Sequence, residues 1–258
     1  MKNQFSFRRF GLLFRKHASE QYKSYLMALA VLAGVLTLIL GMLTYVWGVK
    51  LDAKLQSLFF MLFLLGAGTV FTSTVFSNLG NPKKAIAFLT LPASSLEKFL
   101  VGWVFSFPAF LLAYIPTFYL IAAVVIGAVG DGSGEAEMFS LFGENSNLPQ
   151  MLLMYAFLNA VALVGGIFFQ KGQFIKTAFL LFVFFFVLLL LNKLLLQALL
   201  GHDIQSAIPF GGVKLLEDRQ LFTIGLQGED SPLQWVASIG LVVMLWAAAY
   251  FKLKEKQV

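Results

Sequence analysis

The 258-residue chain contains no cysteine. Disulfides, thiolate chemistry and cysteine-ligated metals are therefore excluded. Histidine occurs twice, as His17 and His202 in distant segments, and two such residues cannot by themselves make a metal site. Charge is scarce too. Only 12% of residues are Asp, Glu, Lys or Arg, against roughly 25% in an ordinary soluble domain. A chain of this size with so few charges cannot solvate its surface in water. Enzymatic signatures are also missing: there is no G-x-x-x-x-G-K-[ST], no H-E-x-x-H and no G-x-S-x-G. The run Asp131, Gly132, Ser133, Gly134 resembles a nucleophile or phosphate loop only superficially and reads better as a flexible turn. The chain cannot hydrolyse ATP by a P-loop mechanism alone.

Apolar residues fill the space that charges leave. They make up 59% of the chain, including 29 phenylalanines. Six runs are long enough to cross a hydrocarbon core of about 30 Å, which takes ~20 helical residues. They extend from Tyr25 to Trp47, Leu55 to Phe76, Phe99 to Val129, Leu148 to Phe169, Thr177 to Leu200 and Leu233 to Phe251. Backbone amides in lipid must pair internally, and these runs lack the alternation of barrel strands, so helices are required. The expected fold is all-α: one transmembrane domain over residues 1–258 with six spans. The third run is overlong and contains Pro108 and Pro116, which predicts a kink or a tilt with its start in the interface. The first run follows a long basic segment and is long enough to span, so it reads as a membrane helix rather than a cleaved leader.

The charges fix an expected orientation. With the N-terminus inside, cytoplasmic segments carry fourteen Lys and Arg and external segments four: Lys50, Lys54, Lys214 and Arg219. That asymmetry recurs at every cytoplasmic segment and satisfies the positive-inside rule, placing both termini in the cytosol. The net charge of +6 therefore points to anionic headgroups rather than nucleic acid.

Three segments outside the spans carry information. Residues 1–24 contain an amphipathic stretch, with Phe7, Phe10, Phe14, Ala18 and Tyr22 on one face and Arg9, Lys16 and Lys23 on another. Such a helix would lie along the inner leaflet, either as a topology anchor or to pass force from a cytoplasmic partner into the first span. In the loop 77–98, Asn81 and Pro82 open a short helix through Lys83, Lys84, Ile86, Phe88 and Leu89. It ends at Leu91-Pro92, and Ser94 with Glu97 forms a capping box for the next helix. Ile86, Phe88 and Leu89 are expected to be available to a partner, or else to rest on lipid. The loop 201–232 is apolar for an external segment and reads as a packed cap in preference to a re-entrant loop.

Inside the spans there is no Asp, Glu or His, which removes the usual groups of proton relays and ion sites. Lys193 lies deep in the fifth run, where its stem can snorkel or its charge can meet an anionic group. Gly66, Thr69, Ser73 and Ser77 follow helical spacing in the second run. They are read either as a helix-packing face or as a pathway-lining one, as are Asn159 and Gly165-Gly166 in the fourth.

This arrangement resembles the permease subunits of type-2 ABC transporters, mostly exporters. The shared features are a basic amphipathic segment before the first span, six spans with both termini inside, and a helix-bearing loop between spans two and three. The stretch from Leu89 through Pro92, Ser94 and Glu97 to Leu100 is similar to the sequence leading into the third span of bacterial members. The resemblance implies a bacterial inner-membrane location and two permeases paired as a homodimer or heterodimer. It also implies separate ATPase subunits that bind ATP and receive the helix from Asn81 to Leu89, so that this chain carries no cofactor and is not itself an enzyme. Two other readings stay open: a non-transporting membrane scaffold, and a lipid-modifying enzyme using Lys193, His202 or Asp203.

Overall fold

A computed structural model of the chain describes residues 5–129, 138–141, 147–200, 204–207, 213–217, 220–224 and 232–256. The turn at 131–134, His202 and Asp203 lie outside the described residues. The chain divides into two compact units, Met1–Phe174 with Leu241–Val258, and Ile175–Gly240. Six helices are long and apolar enough to cross a membrane: Phe7–Val46, Ala53–Val75, Ser95–Ala128, Leu148–Phe168, Gln173–Leu199 and Trp235–Glu255. Each contains or closely matches one of the six expected runs, as a multi-pass membrane protein requires.

Helix α1 (Phe7–Gly41) continues through a π-helical turn, Met42–Val46. At 1.5 Å per residue the 40-residue rod is about 60 Å long, twice the hydrocarbon thickness. The amphipathic segment is thus continuous with the first apolar run in one unbroken helix. No Gly or Pro stands between Ala18 and Ala28 to break it. Part of its apolar stripe is taken up by protein, while Phe7 and Tyr22 stay exposed. Phe10, Phe14, Ala18 and Tyr25 pack around Leu13, Val101 and Phe105, and Phe14 stacks on Phe105 at 4.7 Å.

Helix α2 (Ala53–Val75) starts at Asp52, whose side chain accepts the Leu55 N–H at 3.0 Å. After a 3-10 turn, Ser77–Gly80, come the short α3 (Pro82–Leu89) and α4 (Ser95–Val104). A π-helical turn, Phe105–Ala109, joins α4 to α5 (Phe110–Val129) and holds Pro108, whose missing N–H a regular helix could not accommodate without losing a bond. Helix α6 (Leu148–Phe168) passes through a left-handed Gly172 (φ 64°) to α7 (Gln173–Leu200), and α8 (Pro232–Glu255) closes the chain.

The second unit adds to the all-α expectation. Between α7 and α8, β1 (Ile204–Ala207), β2 (Val213–Glu217) and β3 (Gln220–Ile224) form an antiparallel sheet in the order β1-β2-β3. Glu217 pairs with Gln220, which leaves a two-residue connection between β2 and β3. Pairing meets the backbone needs of an apolar segment that has no helix to do so.

In the first unit two ends are distinct. One gathers the start of α1, α3, the start of α4, the α6–α7 junction and the end of α8. Ser6 and Arg9 reach Glu97, and Lys256 donates to the Ile167 carbonyl. Burial, and then the neighbouring Lys252 charge, lowers the Lys256 pKa. Most of that unit's cations lie at this basic end. At the opposite end, Gln56 and Tyr119 hold the segment 138–141.

Candidate coupling surface and polar core

Helix α3 forms where the loop chemistry places it. The Asn81 Oδ1 accepts the Lys83 N–H at 3.1 Å, and Pro82 occupies the first turn. Lys83, Lys84, Ile86 and Ala87 are exposed, Ile86 by 63%. Phe88 and Leu89 are not on that face. Both are half-buried against the cluster of Val75, Phe76, Leu79 and Phe99, and the Phe88 ring meets Phe76 edge-on at 6.4 Å. The expectation of three apolar residues free for a partner is corrected to one, Ile86. An eight-residue helix next to a bundle has to bury one side, and its last turn is the side that meets the spans.

The far end of α3 is tied to α4. Lys98, 2% exposed, donates its Nζ to the Leu89 carbonyl at 2.8 Å and lies 5.9 Å from the Phe88 ring. A cation at the last carbonyls of a helix is favourable, and here it comes from the next helix. Two glycines make the support close. A Cβ on Gly102 would overlap the Phe76 ring, and one on Gly80 would overlap the Gln170 carbonyl oxygen. A narrow cavity between α1, α2, α3 and α4 is lined by His17 and Lys98 among apolar Leu13, Phe76, Phe88 and Val101. His17 Nε2 pairs with the Tyr25 hydroxyl at 2.7 Å.

Glu97, with no exposed surface, joins α4 to α1. The capping box forms as expected: the Glu97 N–H donates to Ser94 Oγ at 3.2 Å and the Ser94 N–H to Glu97 Oε2 at 2.8 Å. The other oxygen, Oε1, accepts the Ser6 N–H at 2.8 Å and Arg9 Nη2 at 3.1 Å. Sequence reasoning found the box and missed this second use. The available signal was a carboxylate with a spare oxygen in a segment otherwise rich in cations.

The candidate pathway residues do not converge within the first unit. Gly66 is exposed with open space at its Cβ position, whereas Thr69 and Ser73 bond back to the Leu65 and Val70 carbonyls of their own helix. Close approach occurs instead at Gly68, where a Cβ would overlap the Tyr155 ring. Beside it, fully buried Asn159 donates Nδ2 to Thr72 Oγ1 at 3.0 Å and to the Ser106 carbonyl at 3.3 Å. Its Oδ1 accepts the Trp246 indole N–H at 3.2 Å. The Tyr155 hydroxyl also donates to the Ser106 carbonyl, at 2.6 Å. In a regular helix that carbonyl would meet the Phe110 N–H, which in the π turn donates to Phe107. Neighbouring side chains thus serve the backbone that Pro108 disturbs. Lys193 is exposed on α7 in the second unit.

Among the described residues no group of three or more His, Cys, Asp or Glu stands close enough to hold a metal. What the first unit offers is mechanical: an exposed short helix on a tightly tied base. No family model, curated protein or solved structure matches this chain.

Proposed function

We propose that this chain is the membrane-spanning permease subunit of an ATP-driven transporter of the type-2 ABC class, an exporter of the bacterial cytoplasmic membrane. It works with a second permease copy or homologue and with a separate ATPase subunit that binds and hydrolyses ATP. Both termini and α3 face the cytosol. The observation that carries the reading is α3, a capped two-turn helix with Lys83, Lys84 and Ile86 outward and Phe88 and Leu89 inward. Force applied to its outer face reaches the spans by two routes, Phe88 to Phe76 and Leu89 to Lys98. A partner closing on ATP could thereby rock this body and alternate access.

The test is stimulation of the co-purifying ATPase. Ile86→Asp puts a charge on the exposed face without touching the buried one. It is expected to abolish stimulation while leaving thermal stability unchanged. Full stimulation by the variant would sink the proposal. A membrane scaffold is the second reading, favoured by the interhelical pairing of Asn159, Thr72 and Trp246, which serves packing as well as transport. It requires partner complexes whose formation and turnover ignore nucleotide.

A further inference from the structure

The cavity at the base of α3 differs from the packing around it in having polar walls. It measures about 20 Å³, room for one water molecule and no more. His17 of α1, Val75 and Phe76 at the end of α2, Phe88 of α3 and Lys98 of α4 all line it. Lys98 is 2% exposed, and its ammonium carries three N–H donors. One goes to the Leu89 carbonyl at 2.8 Å, which sets the ammonium 5.9 Å from the centre of the Phe88 ring and so beside this space. The other two need acceptors, because a buried ammonium is costly until its hydrogens are met. His17 spends Nε2 on the Tyr25 hydroxyl at 2.7 Å and keeps Nδ1 for a second partner. Val75 ends α2, and the last carbonyls of a helix lack intrahelical donors.

We propose that this cavity is the binding site of a single ordered water that links Lys98, His17 and the end of α2. Donors from Lys98 and acceptors at the helix end supply the roughly two to four partners that hold a water in a protein interior, whereas an apolar void of this size stays dry. The chemistry favours water over a halide ion of similar size. The C-terminal ends of α2 and α3 converge on the site, and each carries a partial negative charge. A halide only accepts hydrogen bonds. A water accepts from Lys98 and donates to carbonyls. It adds a third tie beneath α3, beside Phe88 on Phe76 and Lys98 on Leu89, and it joins α1 to that base. The site stands whether or not the chain is a permease.

Crystal structures of the chain in two salts, at a resolution that shows ordered water, test this. With chloride or bromide as the only halide, the parent is expected to show the same peak in the cavity, within hydrogen-bond reach of Lys98 Nζ. No anomalous signal is expected there in bromide. Lys98→Met removes the donors at similar side-chain length, so the peak should be lost. A cavity without density, an anomalous bromide peak inside it, or a peak that survives Lys98→Met would overturn the assignment. Should the variant fail to fold, the two parent structures decide between water, halide and an empty site.

Discussion

Replacing Glu97 by Gln probes the tie between the N-terminal half of α1 and the base of α4. Both carboxylate oxygens are in use, one on the Ser94 N–H and the other on Ser6 and Arg9. An amide has one acceptor oxygen, so either orientation points an NH2 group at a backbone N–H. Loss of the box alone costs about 1 kcal/mol. A charge-assisted bond to backbone is worth about 1.5–3 kcal/mol when buried. The Arg9 side chain is 39% exposed and can turn to water, so its share is discounted to below ~1 kcal/mol. The sum for Glu97→Gln is about 2.5–5 kcal/mol. Arg9→Ala should cost less than ~1 kcal/mol, and Ser94→Ala, which removes the hydroxyl but leaves Oε1 intact, about 1 kcal/mol.

Two assays separate the contributions. Equilibrium unfolding in mild detergent with increasing SDS reads the total cost, and tryptic cleavage at Arg8 and Arg15 reads detachment of α1. Glu97→Gln is expected to accelerate cleavage at least ~10-fold, in line with a loss of over 1.4 kcal/mol in docking. Ser94→Ala should leave cleavage unchanged. Equal cleavage rates in Glu97→Gln and the parent would mean that the tie is unimportant and that aromatic packing on Phe105 alone docks the helix.

Two further substitutions test the core by equilibrium unfolding. Asn159→Leu keeps the branch at Cγ and removes three hydrogen bonds, stranding the Trp246 indole N–H while Tyr155 still serves the Ser106 carbonyl. Interhelical bonds in membranes average ~0.6 kcal/mol, so a loss of about 1–2 kcal/mol is expected, and no loss would show the node to be incidental. Gly68→Ala must displace Tyr155 and should cost about 1–3 kcal/mol, whereas Gly66→Ala meets open space and should be neutral or slightly stabilising. The same cost at both positions would refute the assignment of the packing face.

Much of this fold could be read from one-dimensional signals. The six apolar runs, the Asn81 cap and the Ser94–Glu97 box all depend on residues within a few positions of each other, and local chemistry settles them. The misses share a cause, which is contact at long separation. Phe88 and Leu89 turn inward because Phe76 and Lys98 are there. Gly68 rather than Gly66 is the close-approach point because Tyr155, on another helix, fits over it. The π turn at Pro108 and the strands of 201–232 depend on which partners return to satisfy the backbone, and periodicity carries no record of that. A helical stripe of small residues identifies candidates for packing, but only the facing helix selects among them.

These contacts bear on how motion could travel. The polar groups at the centre of the first unit, Asn159, Thr72, Tyr155, Ser106 and Trp246, are engaged with one another or with backbone. Passing a polar cargo between α2, α5 and α6 would break those pairs in a medium that offers no replacements. Under the permease reading, the route therefore skirts this body rather than piercing it. The same body carries α3 on Phe76 and Lys98 and the start of α1 on Glu97. A push on Ile86 would then not be absorbed by bending, because close-packed interiors transmit strain. It would move α2, α4 and α6 together, as one packed piece.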